Sequence, residues 1–279
     1  NFKFYKLNFL LQYCFIIYTL LQLSWNPMEV QNKIGVIHMN LNLIYFSPTG
    51  STKKVVETLA SSWNMPKINI DISISDDDYS TYSFPSDDLC IIGVPSFGGR
   101  VPSIAIDHLK KMNSNNTPTI IVVTYGNRAY DDTILELQDT ASEYGFRIVA
   151  AISAVTEHSI IHKFTTDRPN NEDLDEIISF GEKIKEVLSS NAISGIIVPG
   201  NRPYKEYGGV PLKPKTNKNC HKCGLCASLC PSKSISHDNP SITDDSTCIS
   251  CMRCISICPN HARYLNKVML FIASRSEEH

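Results

Sequence analysis

Several common functional signatures are missing from this sequence of 279 residues. It has no G-x-x-x-x-G-K-[ST] loop, which argues against a nucleoside triphosphate, and no G-x-G-x-x-G fingerprint, which argues against a pyridine dinucleotide. Its 26 lysines and arginines nearly balance 28 aspartates and glutamates, so a net charge of −2 leaves no basic surface for nucleic acid. No Ser/His/Asp, paired-carboxylate or Cys/His arrangement stands out as a separate catalytic site.

A long apolar helix is also lacking. The apolar stretch Phe9–Leu23 is shorter than the roughly 20 residues that cross a bilayer, and neither a small-residue cleavage site nor a twin-arginine pair accompanies it. Residues 1–38 are therefore interpreted as an extension of doubtful status. It is either non-native or disordered, or membrane-associated through residues 9–23, or a cleaved signal, and Met28 and Met39 are both plausible starts.

The sequence does contain ten cysteines, and eight of them repeat one spacing, C-x₂-C-x₂-C-x₃-C-P, twice. This spacing is typical of bacterial-type ferredoxins, in which the fourth cysteine of each run ligates the other of two [4Fe-4S] clusters. The rule assigns Cys220, Cys223, Cys226 and Cys258 to a first cluster, and Cys248, Cys251, Cys254 and Cys230 to a second. Zinc sites and disulfide frameworks use other spacings or contexts, and reduced metal-ligating thiolates predict a cytoplasmic location.

Upstream of the cysteines, apolar runs alternate with amphipathic stretches. The predicted strands are Leu41–Phe46, Lys67–Ile74, Leu89–Val94, Thr119–Thr124 and Arg147–Val155, and the last predicted helix is Leu174–Leu188. This alternation predicts an open parallel α/β sheet. Three of the strands end in glycine-containing loops, which should meet at the carboxyl edge of the sheet, where such folds bind ligands.

The first of these loops, Ser47–Thr52, is rich in hydroxyls and precedes a helix, an arrangement that favours a phosphate. The other two carry Phe97, Tyr125 and Tyr130, which suit a planar ligand. Simpler interpretations stay open, because a loop of this composition is often only a helix cap and the aromatic rings can merely cover the end of the sheet.

Taken together, these motifs resemble the flavodoxin–ferredoxin fusion proteins of anaerobes. Ser-x-Thr-Gly-x-Thr matches the flavodoxin phosphate loop, and the eight-cysteine cassette is accompanied by GGRVP (Gly98–Pro102), YGNRAYDD (Tyr125–Asp132), EHS (Glu157–Ser159) and PYKEYGG (Pro203–Gly209). The resemblance covers roughly Met39 to Asn266. It implies a flavodoxin-like, doubly wound, five-stranded parallel α/β sheet joined to a small α+β two-cluster ferredoxin domain.

The resemblance also implies the cofactor FMN in addition to the two [4Fe-4S] clusters. Its phosphate is expected at Ser47, Thr49, Gly50, Ser51 and Thr52, and its isoalloxazine against Pro95, Ser96, Phe97, Gly98, Gly99, Thr124, Tyr125, Gly126, Asn127 and Tyr130. Which aromatic ring stacks on the flavin stays open. The expected units are an FMN-binding domain at 39–192, a basic Pro/Gly-containing linker at 193–218, a ferredoxin domain at 219–266 and a tail at 267–279.

Three further features have two interpretations each. The pair His158 and His162 either binds a metal or relays protons, or consists of surface and capping groups, and His221 and His261 either tune the clusters or simply face solvent. The linker is rich in proline and tyrosine, so we expect it to pack against one or both domains and to hold the ferredoxin module near the flavin, unlike a flexible Gly/Ser tether.

The sequence therefore predicts an electron-transfer iron–sulfur flavoprotein that passes electrons between low-potential one-electron carriers and FMN through two [4Fe-4S] clusters. The expected partners are redox proteins, namely ferredoxin-like donors or acceptors, and not nucleic acid. A ferredoxin-dependent flavin reductase acting on a quinone, nitro compound or disulfide stays open as an alternative, as does a redox-sensing regulatory module.

Overall fold

The structure is a computed structural model that describes residues 40–126, 129–190 and 195–276. Its elements run in chain order as β1 (Leu41–Tyr45), α1 (Ser51–Ala60), β2 (Lys67–Asp71), β3 (Ser83–Phe84), β4 (Leu89–Pro95), α2 (Ser103–Leu109), β5 (Asn113–Ser114), β6 (Pro118–Tyr125), α3 (Thr133–Glu143), β7 (Arg147–Val155), α4 (Asn171–Ser189), β8 (Lys215–Thr216), α5 (Leu225–Ser228), α6 (Arg253–Ser256), β9 (Arg263–Tyr264) and α7 (Lys267–Ser276). The predictions made for residues 1–38 lie outside the described residues.

Five of the strands form one parallel sheet in the order β2-β1-β4-β6-β7. Numbered among themselves, these strands have the order 2-1-3-4-5, which is that of flavodoxin-like doubly wound proteins. The predicted fold class is therefore confirmed. In the register, Leu41 of β1 lies between Lys67 of β2 and Leu89 of β4, and the half-exposed β2 is one of the two edge strands.

Helices cover both faces of this sheet, which explains why its central strands are continuously apolar. Side chains of a strand point alternately to the two faces, so the neighbours Ile91 and Ile92 lie in different cores. Ile92 packs in the core that contains residues of α2 and α3, and Ile91 in the core that contains residues of α1 and α4. Cys90 is also buried, and burial raises the pKa of its thiol, which fits packing and not ligation.

The cysteine-rich region is a small unit closed by an antiparallel pair, in which Lys215 and Thr216 of β8 lie opposite Tyr264 and Arg263 of β9. Each cysteine run contains one short helix, α5 in the first and α6 in the second. The two runs also repeat their backbone conformation, since left-handed residues occupy equivalent positions: Lys222 and Ser250, Gly224 and Met252, and Lys233 and His261. The sequence repeat is therefore also a structural repeat.

The predicted tail contains a helix that was not predicted. Helix α7 begins at Lys267 and ends at Ser276, and it leaves Val268, Phe271 and Ile272 exposed. No helix in the described ranges is both long enough and apolar enough to cross a membrane.

Candidate functional site

A cavity of about 410 Å³ opens at the carboxyl edge of the sheet, where the β1–α1, β4–α2 and β6–α3 loops meet. This volume is within the range of ordinary ligand and cofactor sites. The cavity brings together most of the residues predicted to bind FMN: Thr49, Ser51, Thr52, Pro95, Ser96, Phe97, Gly98, Thr124, Tyr125 and Gly126. Gly50 lines an adjoining cavity, together with Thr49 and Ser51.

The remaining predicted residues lie elsewhere. Ser47, Gly99 and Tyr130 are not part of the cavity lining, and Asn127 lies outside the described residues. Tyr130 packs edge-on against Tyr125, with ring centroids 5.2 Å apart. Tyr130 therefore contacts a ring that lines the cavity without lining the cavity itself.

The β1–α1 loop presents free backbone donors. Gly50 is in the left-handed region, with φ of 96°, and helix α1 begins at the next residue. The N–H groups of Gly50, Ser51 and Thr52 have no hydrogen-bond acceptor among the described residues. Unpaired amides at the start of a ten-residue helix attract an anion, because the helix dipole adds to their own charge. The residues present therefore fit a phosphate group.

Two of the predicted hydroxyls make hydrogen bonds within the protein. The Ser47 hydroxyl accepts a hydrogen bond from the Lys53 amide at 3.0 Å. The buried Thr52 hydroxyl bonds that of Thr124 at 2.8 Å, which ties the loop to the end of β6. The hydroxyl-rich composition thus indicated the right loop, but its amides are the open donors.

Phe97 and Tyr125 are the predicted aromatic residues that line the cavity. Phe97 is held from behind by Phe46, with centroids 6.3 Å apart and planes at 84°. The Phe97 amide donates to the Arg100 carbonyl at 2.9 Å and the Arg100 amide donates to the Phe97 carbonyl at 3.2 Å, which forms an antiparallel β-bridge. A planar ligand at this edge would meet two rings that the protein already holds in place.

The β7–α4 loop lines a further side of the cavity. The contacts of its histidines, His158 and His162, bear on their two interpretations. The His158 ring accepts hydrogen bonds at Nδ1 from the amides of Ile160 and Ile161, at 3.1 and 3.0 Å, so it caps the loop. His162 instead pairs with Glu157, and its side chain is 67% exposed. The two histidines therefore have separate partners and do not form a common site.

Residues outside the sheet domain complete the cavity, and sequence reasoning missed them. They are Gly209, Val210, Pro211 and Leu212 of the linker, Ile249, Ser250 and Cys251 of the second cysteine run, and Met269, Ile272 and Ala273 of α7. The last three have the i, i+3, i+4 spacing of a helix face, which is the signal that could have predicted α7.

The first predicted set of cluster ligands surrounds a second, smaller cavity. Its lining includes Cys220, Cys223, Cys226 and Cys258. The Ala262 amide donates to Cys258 Sγ at 3.3 Å. Burial raises the pKa of Cys258, but the amides of Ala262, Asn260 and Arg263 outweigh it, so that the pKa is lowered. A thiolate is the ligand form that iron needs.

The second set is more deeply placed, since Cys230 and Cys251 are buried. Burial raises the pKa of Cys251 and Cys254 to about 12, against a lowering by the Arg253 amide and the Arg263 charge respectively, and neighbouring cysteines add to the increase. Four close, desolvated thiols cannot all ionise unless cations neutralise them, which fits an iron–sulfur cluster. The spacing predicts these four cysteines as the ligands of the second cluster.

Among the described residues, no group of three or more His, Cys, Asp or Glu side chains converges closely enough to hold a single metal ion. A cubane of four irons spreads its thiolates more widely than one ion does. His221 and His261, next to the cluster cysteines, are both exposed.

The linker lies against the sheet domain and reaches the second cysteine run. Asp132 accepts hydrogen bonds from the Asn201 and Lys205 amides at 2.8 and 2.7 Å. Further along, Tyr207 packs over Gly98, so closely that a Cβ on Gly98 would lie 3.2 Å from its ring. Burial and then the charge of Cys248 raise the pKa of Tyr207, which places this ring between the β4–α2 loop and a cluster ligand.

Comparison with known proteins gives a family for one part of the chain. Residues 213–261 match the family model described as a 4Fe-4S dicluster domain. A search of curated proteins finds no match. Because a dicluster domain carries two cubanes, this match implies two [4Fe-4S] clusters.

Solved structures resemble the sheet domain at low sequence identity. Flavodoxin 1 of Bacillus cereus is 18% identical over 53% of this chain and 97% of its own, with a TM-score of 0.40. A flavodoxin from the domain Archaea is 16% identical over 54% of this chain and 99% of its own, also with a TM-score of 0.40. Rubredoxin oxygen:oxidoreductase of Desulfovibrio gigas is 14% identical over 56% of this chain and 37% of its own, with a TM-score of 0.41.

Similarities at these TM-scores carry no argument by themselves, and the fold assignment is based on the strand order of the sheet. One polypeptide therefore combines a sheet domain of flavodoxin-like strand order with a 4Fe-4S dicluster ferredoxin domain, in the manner of an electron-transfer protein.

Proposed function

We propose that the protein is an iron–sulfur flavoprotein in which electrons pass between an external one-electron carrier and FMN through two [4Fe-4S] clusters. The observation that carries this proposal is the position of Cys251. This ligand of the second cluster lines the same cavity as Phe97 and Tyr125, the aromatic residues expected at the flavin. Cluster and flavin would therefore be neighbours within one chain.

The described residues support FMN at this place in three ways. The amides of Gly50, Ser51 and Thr52 are open to a phosphate, the rings of Phe97 and Tyr125 offer apolar surface to the isoalloxazine, and the linker, the second cysteine run and α7 line the same cavity. FMN, when bound, supplies a centre that accepts one or two electrons, and the protein supplies position and environment.

The exposure of the cysteines supports an order of the three cofactors along the path of the electrons. Cys223 of the first set is exposed, whereas Cys230 and Cys251 of the second are buried. We place the first cluster at the surface, where it exchanges electrons with a carrier, and the second between it and the flavin. The exposed Lys218 and Lys222 beside the first cluster favour a carrier with an acidic surface.

A flavin reductase acting on a small acceptor is the second candidate. The apolar side chains of Val210, Ile249 and Ile272 around the cavity favour it, because a quinone or nitroaromatic would find apolar contacts there. Such an acceptor would need room beside FMN in about 410 Å³, and hence a displacement of α7 or the linker. The volume of this cavity therefore favours the carrier.

The cofactors are tested first, by iron, sulfide and FMN analysis of protein purified without oxygen. Rapid mixing with a reduced ferredoxin then follows the clusters and the flavin. We expect a phase of internal exchange whose rate does not depend on protein concentration. Flavin reduction that instead accelerates in proportion to protein concentration would contradict the proposal.

Cys251→Ser, assayed with saturating FMN, should keep the first cluster but slow flavin reduction, since the intermediate cluster is lost. Cys90→Ser, at a buried cysteine of the sheet core, is the matched control. Steady-state assays with candidate acceptors separate the two functions, because a reductase saturates with one acceptor and a carrier exchanges with many.

A further inference from the structure

Arg253 connects the second cysteine run to the sheet domain. It lies between Cys251 and Cys254 and opens α6, and only 13% of its side chain is exposed. Its guanidinium reaches the end of β2, where Nη2 lies 3.4 Å from Asp71 Oδ2 and Nη1 donates to the Ser73 carbonyl at 3.2 Å. A charge buried to this extent is stable only when paired, so these contacts hold the cysteine run in place.

The same corner supports the loop expected to bind phosphate. The buried Ser73 hydroxyl accepts a hydrogen bond from the Ser47 amide at 2.8 Å. Ser47 in turn accepts from the Lys53 amide in the first turn of α1 at 3.0 Å. Contacts therefore run without a gap from Arg253 through Ser73 and Ser47 to the helix whose first amides face the cavity.

A bound cluster would order the second cysteine run. Ser250 and Met252 have φ values of 55° and 61°, a backbone region that is strained for non-glycine residues unless their surroundings hold them there. Ligation of Cys248, Cys251 and Cys254 by one cluster would hold this conformation, because metal binding is coupled to local folding. Loss of the cluster would therefore weaken the pre-positioning of Arg253 for its contacts with Asp71 and Ser73.

We propose that Arg253 is a positioning residue that couples the two cofactor sites, so that assembly of the second cluster raises the affinity for FMN and bound FMN stabilises the cluster. This inference rests on the proposed placement of FMN and the clusters. The effect is reciprocal: if the cluster raises the affinity for FMN by some factor, bound FMN raises the affinity for the cluster by the same factor.

The test measures the FMN dissociation constant by flavin fluorescence, without oxygen, in four proteins: wild type, Arg253→Gln, Cys251→Ser and the double variant. Couplings of this kind change affinity by about 5- to 150-fold. We expect each single variant to bind FMN at least about fivefold more weakly, and the double variant to be no weaker than Cys251→Ser alone. Lys233→Gln is the matched control, since it removes an exposed ion pair with Asp76 between the same two domains and should leave the dissociation constant unchanged.

Two results would overturn the proposal: wild-type affinity in Arg253→Gln, or single effects that multiply in the double variant. If Arg253→Gln does not fold, Ser73→Ala replaces it, because it removes the acceptor for Ser47 and leaves the carbonyl that Arg253 contacts. Failure of the proposed function looks different, since wild-type protein would then lack FMN or iron altogether. If both cofactors bind but independently, only the role of Arg253 is refuted.

Discussion

Removing the carboxylate of Asp132 should release the linker from the sheet domain. This side chain is only 3% exposed and lies just before α3. One oxygen accepts from the Asn201 amide at 2.8 Å and the other from the Lys205 amide at 2.7 Å. The linker residues that follow form part of the cavity wall, so this anchor also determines how well the cavity is enclosed.

The magnitude follows from the two bonds. A hydrogen bond to a charged group contributes about 1.5–3 kcal/mol. Since Asn201 and Lys205 are themselves exposed, water replaces the lost acceptor and the lower end of the range applies. We expect Asp132→Ala to lower the free energy of linker opening by about 3 kcal/mol in total, and Asp132→Asn, which keeps one acceptor, by about half as much.

Hydrogen exchange of the intact, anaerobically prepared protein measures this opening directly. In peptides that cover 195–212, about 3 kcal/mol corresponds to exchange faster by about two orders of magnitude. Asp245→Asn is the control, because it breaks an ion pair with Lys215 that is about half exposed on both sides and should contribute less than about 1 kcal/mol. Equal exchange in Asp132→Ala and Asp245→Asn would refute the reasoning.

The anchor should also depend on pH. Hydrogen bonds from the Lys205 and Asn201 amides lower the pKa of Asp132, so its contribution is complete above the ordinary carboxyl pKa of about 3.9. It is lost as the pH falls through the lower pKa of the folded protein. The exchange difference between wild type and Asp132→Ala should therefore disappear in acid, and a difference that persists there would have another origin.

Three further outcomes are expected. Gly126→Ala would place a Cβ 2.5 Å from the Cα of His158, so the loop must shift and FMN affinity should fall by more than about tenfold. The control Gly208→Ala has no atom within 4 Å of the added Cβ and should bind FMN normally. Burial lowers the pKa of His108, so the free energy of unfolding should decrease below about pH 6.5, and an unchanged pH profile in His108→Gln would contradict this. Cys251→Ser should lose about half of the iron and Cys90→Ser none, as iron and sulfide analysis would show.

Local patterns were sufficient for most of the sheet domain. The continuous apolar runs at Leu89–Val94 and Thr119–Thr124 can be accommodated only in strands covered on both faces, and the structure has strands at Leu89–Pro95 and Pro118–Tyr125. The loops at the carboxyl edge followed from the parallel arrangement alone. The cysteine spacing likewise led to the two sets of four, because the ligation rule depends only on positions in the sequence.

The hydrogen-bond partners of individual side chains could not be predicted from these local patterns. The hydroxyls of Ser47 and Thr52 were expected to face a phosphate, but they bond to Lys53 and Thr124. A hydroxyl bonds whichever donor or acceptor lies nearest, and that depends on the packing of neighbouring elements. Helix α7 was missed because residues 267–279 were interpreted only as a tail.

The sequence by itself determined the strands of the main sheet, their alternation with helices and the cysteine ligand pattern, because periodicity and ligand spacing are properties of short stretches of chain. Only the tertiary structure decided that Cys251, the linker and α7 close the cavity at the sheet edge, and that Arg253 reaches Ser73. Arg253 and Ser73, for example, are 180 positions apart in the chain. Contacts of this kind depend on how the cysteine-rich region packs against the sheet domain, which no local pattern specifies.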